Sequence, residues 1–466
     1  MLSSLTRLAA GLIVGLSLQA ACAQSDTATV SEQHAQQPAA ATTTPDPTAT
    51  PVAPQNTAVA PAAAPQTELA APATDSLPPQ SAADQRKARE EAVRIKRRAG
   101  EADIAVYQRR VAAIEEDFSG FDPRLVDALI DLGKSMHAIG HNNDALGVLE
   151  RAQHISRVTD GLYSLQQLKS IDVIAAVLSD LNRWTDAIKA KEYALYLVQH
   201  QYGGGSMEMA EQLNDLAIWY ESVGHVFGAR QAYERAAVII DAKAGADDPR
   251  RAVALRRLAR SYRLERFPVH RIHDDEQRYE VDPNGPELFG SERRLGMLNR
   301  FAPGENALKE AIRIYQRQQP VATAETAAAL VELGDWYLLF NKFDIAMAAY
   351  REARAQLAQQ PEQQVALFAQ PAAVYFRPPA APPRPALDAI PEYRGYIELT
   401  FDVSERGDVD NVQVVTAVPE QLLTKQLLEA MRKARFRPQL DASGNAVASS
   451  GARFRFEFPY FEQAGS

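Results

Sequence analysis

The sequence predicts a multi-domain chain, an all-α solenoid of 42-residue repeats followed by a small α+β domain of order β-β-α-β. Three observations predict it: the same residue types recur every 42 positions from Asp84 to about Leu357, two proline-rich stretches bracket that region, and the C-terminal segment changes from helical to alternating periodicity. At 466 residues the chain is too long for one compact core. A net charge of -9 and a pI near 5.5 leave no strongly basic face, which excludes nucleic acid as a bulk partner.

Residues 1–23 carry Arg7, an apolar run from Leu8 to Leu18, and the small-residue exit Ala21-Cys22-Ala23 before Gln24. This is the pattern of a secretory signal peptide, and the run is shorter than the roughly 20 residues needed to span a bilayer. A retained anchor is therefore the weaker reading. Cys22 is the single cysteine. Cleavage after Ala23 removes it and gives a periplasmic protein, whereas lipidation at Cys22 gives a lipid-anchored envelope protein. Gln19 stands where lipidation boxes usually carry an apolar residue, which favours cleavage. Membrane attachment requires a lipidated Cys22 or an uncleaved signal. Residues 24–83 are rich in Ala, Thr, Pro and Gln and contain no Lys or Arg, so they read as a disordered tether reaching roughly 45 Å as a flexible coil.

Residues 84–360 are assigned to the solenoid. Leu132 and Gly133 recur as Ile174 and Ala175, Leu216 and Ala217, and Leu258 and Ala259, while Met136, Leu178, Tyr220 and Tyr262 keep register. In the second helix of each pair, Ala145, Leu149 and Ala152 recur as Ala187, Lys191 and Ala194, then as Ala229, Tyr233 and Ala236. The register breaks after Tyr262 and resumes with Leu308 and Ala311 once about 33 residues are removed. A fifth repeat follows with Leu333, Gly334, Tyr337, Ala346, Tyr350 and Ala353, and the segment from Ala102 to Glu116 reads as an incomplete leading repeat. The insertion, residues 267–303, is rich in charge, Pro and Gly and reads as a loop between the two helices of repeat four; a binding loop and a tolerated surface insertion are both open.

This order of large, Gly/Ala, aromatic, Ala, aromatic and Ala positions resembles the tetratricopeptide (TPR) family in its 42-residue variety, as in kinesin light chains. The departures are Lys191 at an aromatic position, the interrupted fourth repeat and the missing terminal Pro. The resemblance implies paired antiparallel helices whose first members line a concave groove.

Residues 361–392 read as a proline-rich linker, stiffest from Pro371 to Pro391. Residues 393–466 form the last domain. Ile397, Leu399, Phe401 and Val403 alternate with Glu398, Thr400 and Asp402, the segment Glu405-Arg406-Gly407-Asp408 turns the chain, and Val409 to Val415 makes a second strand. A helix of about 15 residues is predicted after Pro419, with Leu423, Leu427, Met431 and Ala434 on one face. A closing strand puts Phe454, Phe456 and Phe458 on one side and Arg453, Arg455 and Glu457 on the other.

The stretches Gly395-Tyr396-Ile397, Phe401-Asp402-Val403, Gly407-Asp408-Val409, Ala434-Arg435-Phe436-Arg437-Pro438, Gly444 and Phe454-Arg455-Phe456 resemble the C-terminal domain of the TonB family. The resemblance implies a module that adds an extended peptide to its sheet edge, with a TonB-dependent outer-membrane receptor as one class of partner. Sheet edges suit that role because backbone pairing tolerates sequence. A self-paired or covered closing strand is the alternative. Arg453, Phe454, Arg455 and Phe456 are the candidate partner-binding residues here.

No phosphate loop, nucleophile elbow or His-Glu-x-x-His helix occurs, so no catalytic residue and no cofactor is assigned. His270, His273, Asp274, Asp275 and Glu276 cluster in the insertion, but a solvated charged loop explains them and no metal site is assigned. Arg256, Arg260 and Arg263, spaced four and three apart, share one face of the first helix of repeat four, where the resemblance places the groove. They would clamp the carboxylates of an acidic peptide, and a merely solvated face is the alternative. The expected function is a non-enzymatic periplasmic scaffold or adaptor binding proteins or peptides of the cell envelope. The alternative is a TonB-type energy transducer, which in that family requires a retained membrane helix with Ser and His side chains; the apolar run here is short and has no His.

Overall fold

The computed structural model describes residues 82–268, 301–382 and 392–461, with side chains described from Arg98 to Tyr460 within those ranges. The expected signal peptide, nearly all of the tether and the core of the insertion lie outside them. All described residues belong to one unit, Ala62–Ser466.

A helix of 36 residues, α1 (Ala82–Asp117), opens the solenoid, so the leading half-repeat is part of one long helix rather than a segment starting at Ala102. Five antiparallel pairs follow: α2 (Arg124–Ala138) with α3 (Asn142–Thr159), α4 (Leu168–Asp180) with α5 (Trp184–Tyr202), α6 (Met207–Ser222) with α7 (Val226–Ala244), α8 (Pro249–Arg266) with α9 (Phe301–Arg317), and α10 (Thr323–Leu339) with α11 (Phe343–Gln356). Helices α6 and α8 start on local caps: the side chains of Ser206 and Asp248 accept the backbone N–H groups of Met209 and Arg250, and Pro249 occupies the first turn of α8.

The repeat positions are the buried ones. Leu132, Ile174, Leu216, Leu258 and Leu333 are buried, and so are their small neighbours Gly133, Ala175, Ala217, Ala259 and Gly334. The small residues let the second helix of each pair approach closely. A Cβ on Gly133 would stand 2.6 Å from Leu149, and one on Gly334 only 2.3 Å from the ring of Tyr350. Successive pairs are tied by the tyrosines of the repeat: the hydroxyls of Tyr262 and Tyr337 donate to Glu234 and Glu305 at 3.1 and 2.6 Å. Helix α9 is described from Phe301, so residues 301–303, which the sequence assigns to the insertion, are helical.

Past α11 the structure corrects the linker. Residues Pro361–Phe368 form a helix, α12, and Ala372–Tyr375 form a strand, β1, which pairs antiparallel with β4 (Arg435–Arg437) some 60 residues downstream. The expected stiff spacer is in this part an ordered bracket between the two domains, while residues 383–391 lie outside the described range.

The C-terminal domain is built on a three-stranded antiparallel sheet in the order β3 (Val409–Val418), β2 (Glu392–Val403), β7 (Ser449–Phe461). Ile397 faces Phe456 and Leu399 faces Phe454 across β2 and β7, which puts the phenylalanines on the buried face with Leu427 and Met431 of α13 (Thr424–Arg432). Each buried Phe contributes about 1.5–3 kcal/mol. The simple β-β-α-β order is enlarged by β1, β4 and a small pair, β5 (Gln439–Leu440) with β6 (Ala446–Val447). Helix α13 spans 9 residues rather than 15 because Gln421 and Leu423 take left-handed backbone angles, with φ of 67° and 61°, and hold the chain out of helix until Thr424. Gly407, at φ +83°, is required in the β2–β3 turn: a Cβ there would lie 1.9 Å from the carbonyl oxygen of Phe436, whose N–H donates to the Gly407 carbonyl at 2.9 Å.

Candidate partner-binding site

The groove is assembled by three helices. Arg256, Arg257, Arg260 and Arg263 of α8 line a cavity of about 390 Å³ together with Val253, Ala259, Leu308 of α9 and Glu332 and Trp336 of α10. The three arginines expected from the sequence do share one wall. Arg257, which the four-and-three spacing passed over, stands with them; its offset of three from Arg260 is the helical signal that would have found it.

The four guanidinium groups are unevenly compensated. Arg256 makes a bidentate pair with Glu332, Nε to Oε2 at 2.9 Å and Nη2 to Oε1 at 2.6 Å. Arg260 stands 3.3 Å from the recessed carboxylate of Glu221. Burial pushes the Glu221 carboxyl up, while the facing guanidiniums of Arg260, Arg257 and Arg263 pull it down. The guanidinium groups of Arg257 and Arg263 make no hydrogen bond or ion pair with a described residue. Burial pushes Arg263 below its ordinary pKa, opposed chiefly by the negative charge of Asp335. Two of the four guanidinium groups thus have no direct carboxylate partner and stand beside the apolar Leu308 and Trp336, which suits a carboxylate-bearing chain with some apolar body.

The second wall of α10 meets the C-terminal domain. Asp335, next to the groove residue Trp336, is buried with Arg437 of β4, which donates Nε to Oδ1 at 3.0 Å and Nη2 to Oδ2 at 3.1 Å. The Tyr350 hydroxyl donates to the same Oδ1 at 2.8 Å, and Arg437 Nη1 donates to the Leu367 carbonyl at 3.0 Å. Around this pair, Arg435 donates to Asn341 at 3.3 Å and Arg351 to the Gly444 carbonyl at 3.3 Å, with Arg354 on the Asp441 carbonyl. Val374 and Leu440 join the buried cluster of α10 and α11. The linker expected between the domains is thus bridged, and the pairing of Asp335 with Arg437 is not apparent in the sequence. The local signal is an acid in α10 with apolar or aromatic residues before and after it, and an arginine flanked by Phe436 and Pro438.

At the other expected site, Phe454, Phe456 and Phe458 are buried, so they support the sheet rather than face a partner. Arg455 is engaged: it donates to Glu398 at 2.8 Å and Glu457 at 3.0 Å, and lies 3.9 Å over the Tyr396 ring. Arg453 is exposed on the same strand. Among the described strands β7 pairs only with β2, leaving its other edge open. The His270, His273, Asp274, Asp275 and Glu276 cluster lies outside the described residues, and among the described ones no group of three or more His, Cys, Asp or Glu is placed to hold a metal.

Residues 385–459 match the family described as the Gram-negative bacterial TonB protein C-terminal domain. A relative is the protein TonB of Escherichia coli strain K12, 35% identical over 66 residues, or 14% of this chain and 28% of that protein. The chain thus spans little more than a quarter of that relative's length. Solved structures similar to the chain include BtubC from P. vanneervenii, with 14% identity and a TM-score of 0.36 over 64% of this chain and 98% of that one. Another is a putative kinesin light chain of Podosopora anserina with nearly identical TPR-like repeats, with 16% identity and a TM-score of 0.36 over 51% and 97%. The five helix pairs and their small-residue contacts carry the assignment of the solenoid by themselves. The chain is a solenoid of antiparallel helix pairs with the repeat pattern of the tetratricopeptide kind, followed by a C-terminal region that matches the TonB C-terminal family over residues 385–459.

Proposed function

We propose that the chain is a non-enzymatic periplasmic adaptor in which the arginine groove takes an acidic segment of an envelope protein, while the open edge of β7 offers a second surface for an extended peptide, including that of a TonB-dependent outer-membrane receptor. The observation that carries the reading is that the guanidinium groups of Arg257 and Arg263 line the groove with Leu308 and Trp336 and have no direct side-chain partner among the described residues. Charge-assisted bonds from an arginine to a carboxylate contribute about 1.5–3 kcal/mol each. Protein purified from the periplasmic fraction is the material for the test. Titrated with fluorescent hexaglutamate, Arg257→Gln/Arg263→Gln is expected to bind at least about ten-fold more weakly than wild type with unchanged helicity. Equal affinities would sink the groove. The intact mass of the same protein decides between an adaptor and an energy transducer: a chain beginning at Gln24 supports the first, and an uncleaved one supports the second.

A further inference from the structure

We propose that docking of the C-terminal domain and occupation of the arginine groove by an acidic segment reinforce each other, with the charge of Asp335 as the link between them. The inference rests on the groove reading above and adds its regulation. Helix α10 serves both places: Glu332 and Trp336 line the groove, and Asp335 between them in the chain holds Arg437 of β4.

A second path joins the same two places. Trp336 packs on Phe340 with ring centroids 5.0 Å apart, Phe340 on Phe267 at 5.5 Å, and Phe267 at the end of α8 on Tyr375 of β1 at 5.6 Å. Strand β1 in turn pairs with β4. The arginine helix, the groove tryptophan and the docking strands therefore form one continuous packed body.

The electrostatics set the sign of the coupling. In the docked state the Asp335 carboxylate is neutralised by the Arg437 fork and the Tyr350 hydroxyl. When Arg437 withdraws, Asp335 is left without its cation on the helix that lines the groove, and its negative charge acts on Arg263 of the groove wall, whose charged form it already favours. The groove then loses part of its excess positive charge and binds an acidic segment more weakly. By reciprocity, an acidic segment in the groove favours the docked domain.

The test titrates fluorescent hexaglutamate into the full-length protein and three variants. Arg437→Met, which strands the carboxylate, is expected to bind roughly three- to ten-fold more weakly, the effect of one added charge across the helix at an intermediate dielectric. Asp335→Asn, which loosens docking but leaves no anion on α10 whether the domain is docked or not, and the Asp335→Asn/Arg437→Met double variant are expected within about two-fold of wild type. A merely structural role for the ion pair predicts the opposite for Asp335→Asn, because that change breaks the pair as surely as Arg437→Met does. Unchanged affinity in Arg437→Met, or an equal loss in Asp335→Asn, overturns the coupling. Wild-type protein that does not bind hexaglutamate overturns the groove reading and the coupling with it. Should Arg437→Met fail to fold by circular dichroism, the reciprocal measurement on wild type decides: hexaglutamate must slow amide exchange in β1 and β4, and unchanged exchange there refutes the proposal.

Discussion

His225 closes the start of α7 by accepting the backbone N–H of Gly228 on Nδ1 at 3.1 Å, which requires the neutral ring. Burial lowers its pKa from 6.5 to about 4. Because the folded value is the depressed one, the unfolded chain binds the extra proton first. The stability this residue contributes is complete above pH 6.5 and is lost as pH falls towards 4, by up to about 3 kcal/mol. His225→Asn keeps a cap acceptor and removes the titration, so its melting temperature should fall less between pH 7 and 5 than that of wild type. Parallel curves for the two proteins would remove His225 from the acid response. At this scale the sequence disclosed side chains that repeat and concealed those that act once. Arg256, Arg260 and Arg263 were legible because helical spacing is a local property, whereas the pairing of Asp335 with Arg437 spans about a hundred residues and follows no period.

At the scale of elements, the five helix pairs were legible because Gly133, Ala175, Ala217, Ala259 and Gly334 must be small wherever a second helix crosses closely. Strand β1 was hidden, since four residues in a proline-rich stretch carry too little alternation to be read and their pairing partner lies far downstream. Its inward residue makes the docking testable. Val374 is buried in the cluster shared by α10, α11 and Leu440, so Val374→Asp places a carboxylate without a partner in the interface and should cost about 2–4 kcal/mol of docking. Limited proteolysis reads this directly: cleavage between Phe368 and Pro382 should be slow in wild type and fast in the variant. Equal rates would mean that β1 does not hold the domains together.

For the whole molecule, the bulk acidity of the chain masks a local excess of positive charge, and that contrast is the reason a net charge of -9 is compatible with an anion-binding groove. Four helices intervene between the first repeat and the arginine helix, while the C-terminal domain is joined to the last repeat by a buried ion pair whose one-sided removal costs about 3–5 kcal/mol. The solenoid end that lines the groove and the end that carries the domain are therefore the same end. Hydrogen exchange of the full-length protein with and without hexaglutamate maps this most directly. Protection is expected in Val253–Arg263 of α8 and Glu332–Trp336 of α10, extending to Arg435–Arg437 of β4. Protection confined to β7, or to helices α2 to α5, would contradict an acidic partner seated in the groove.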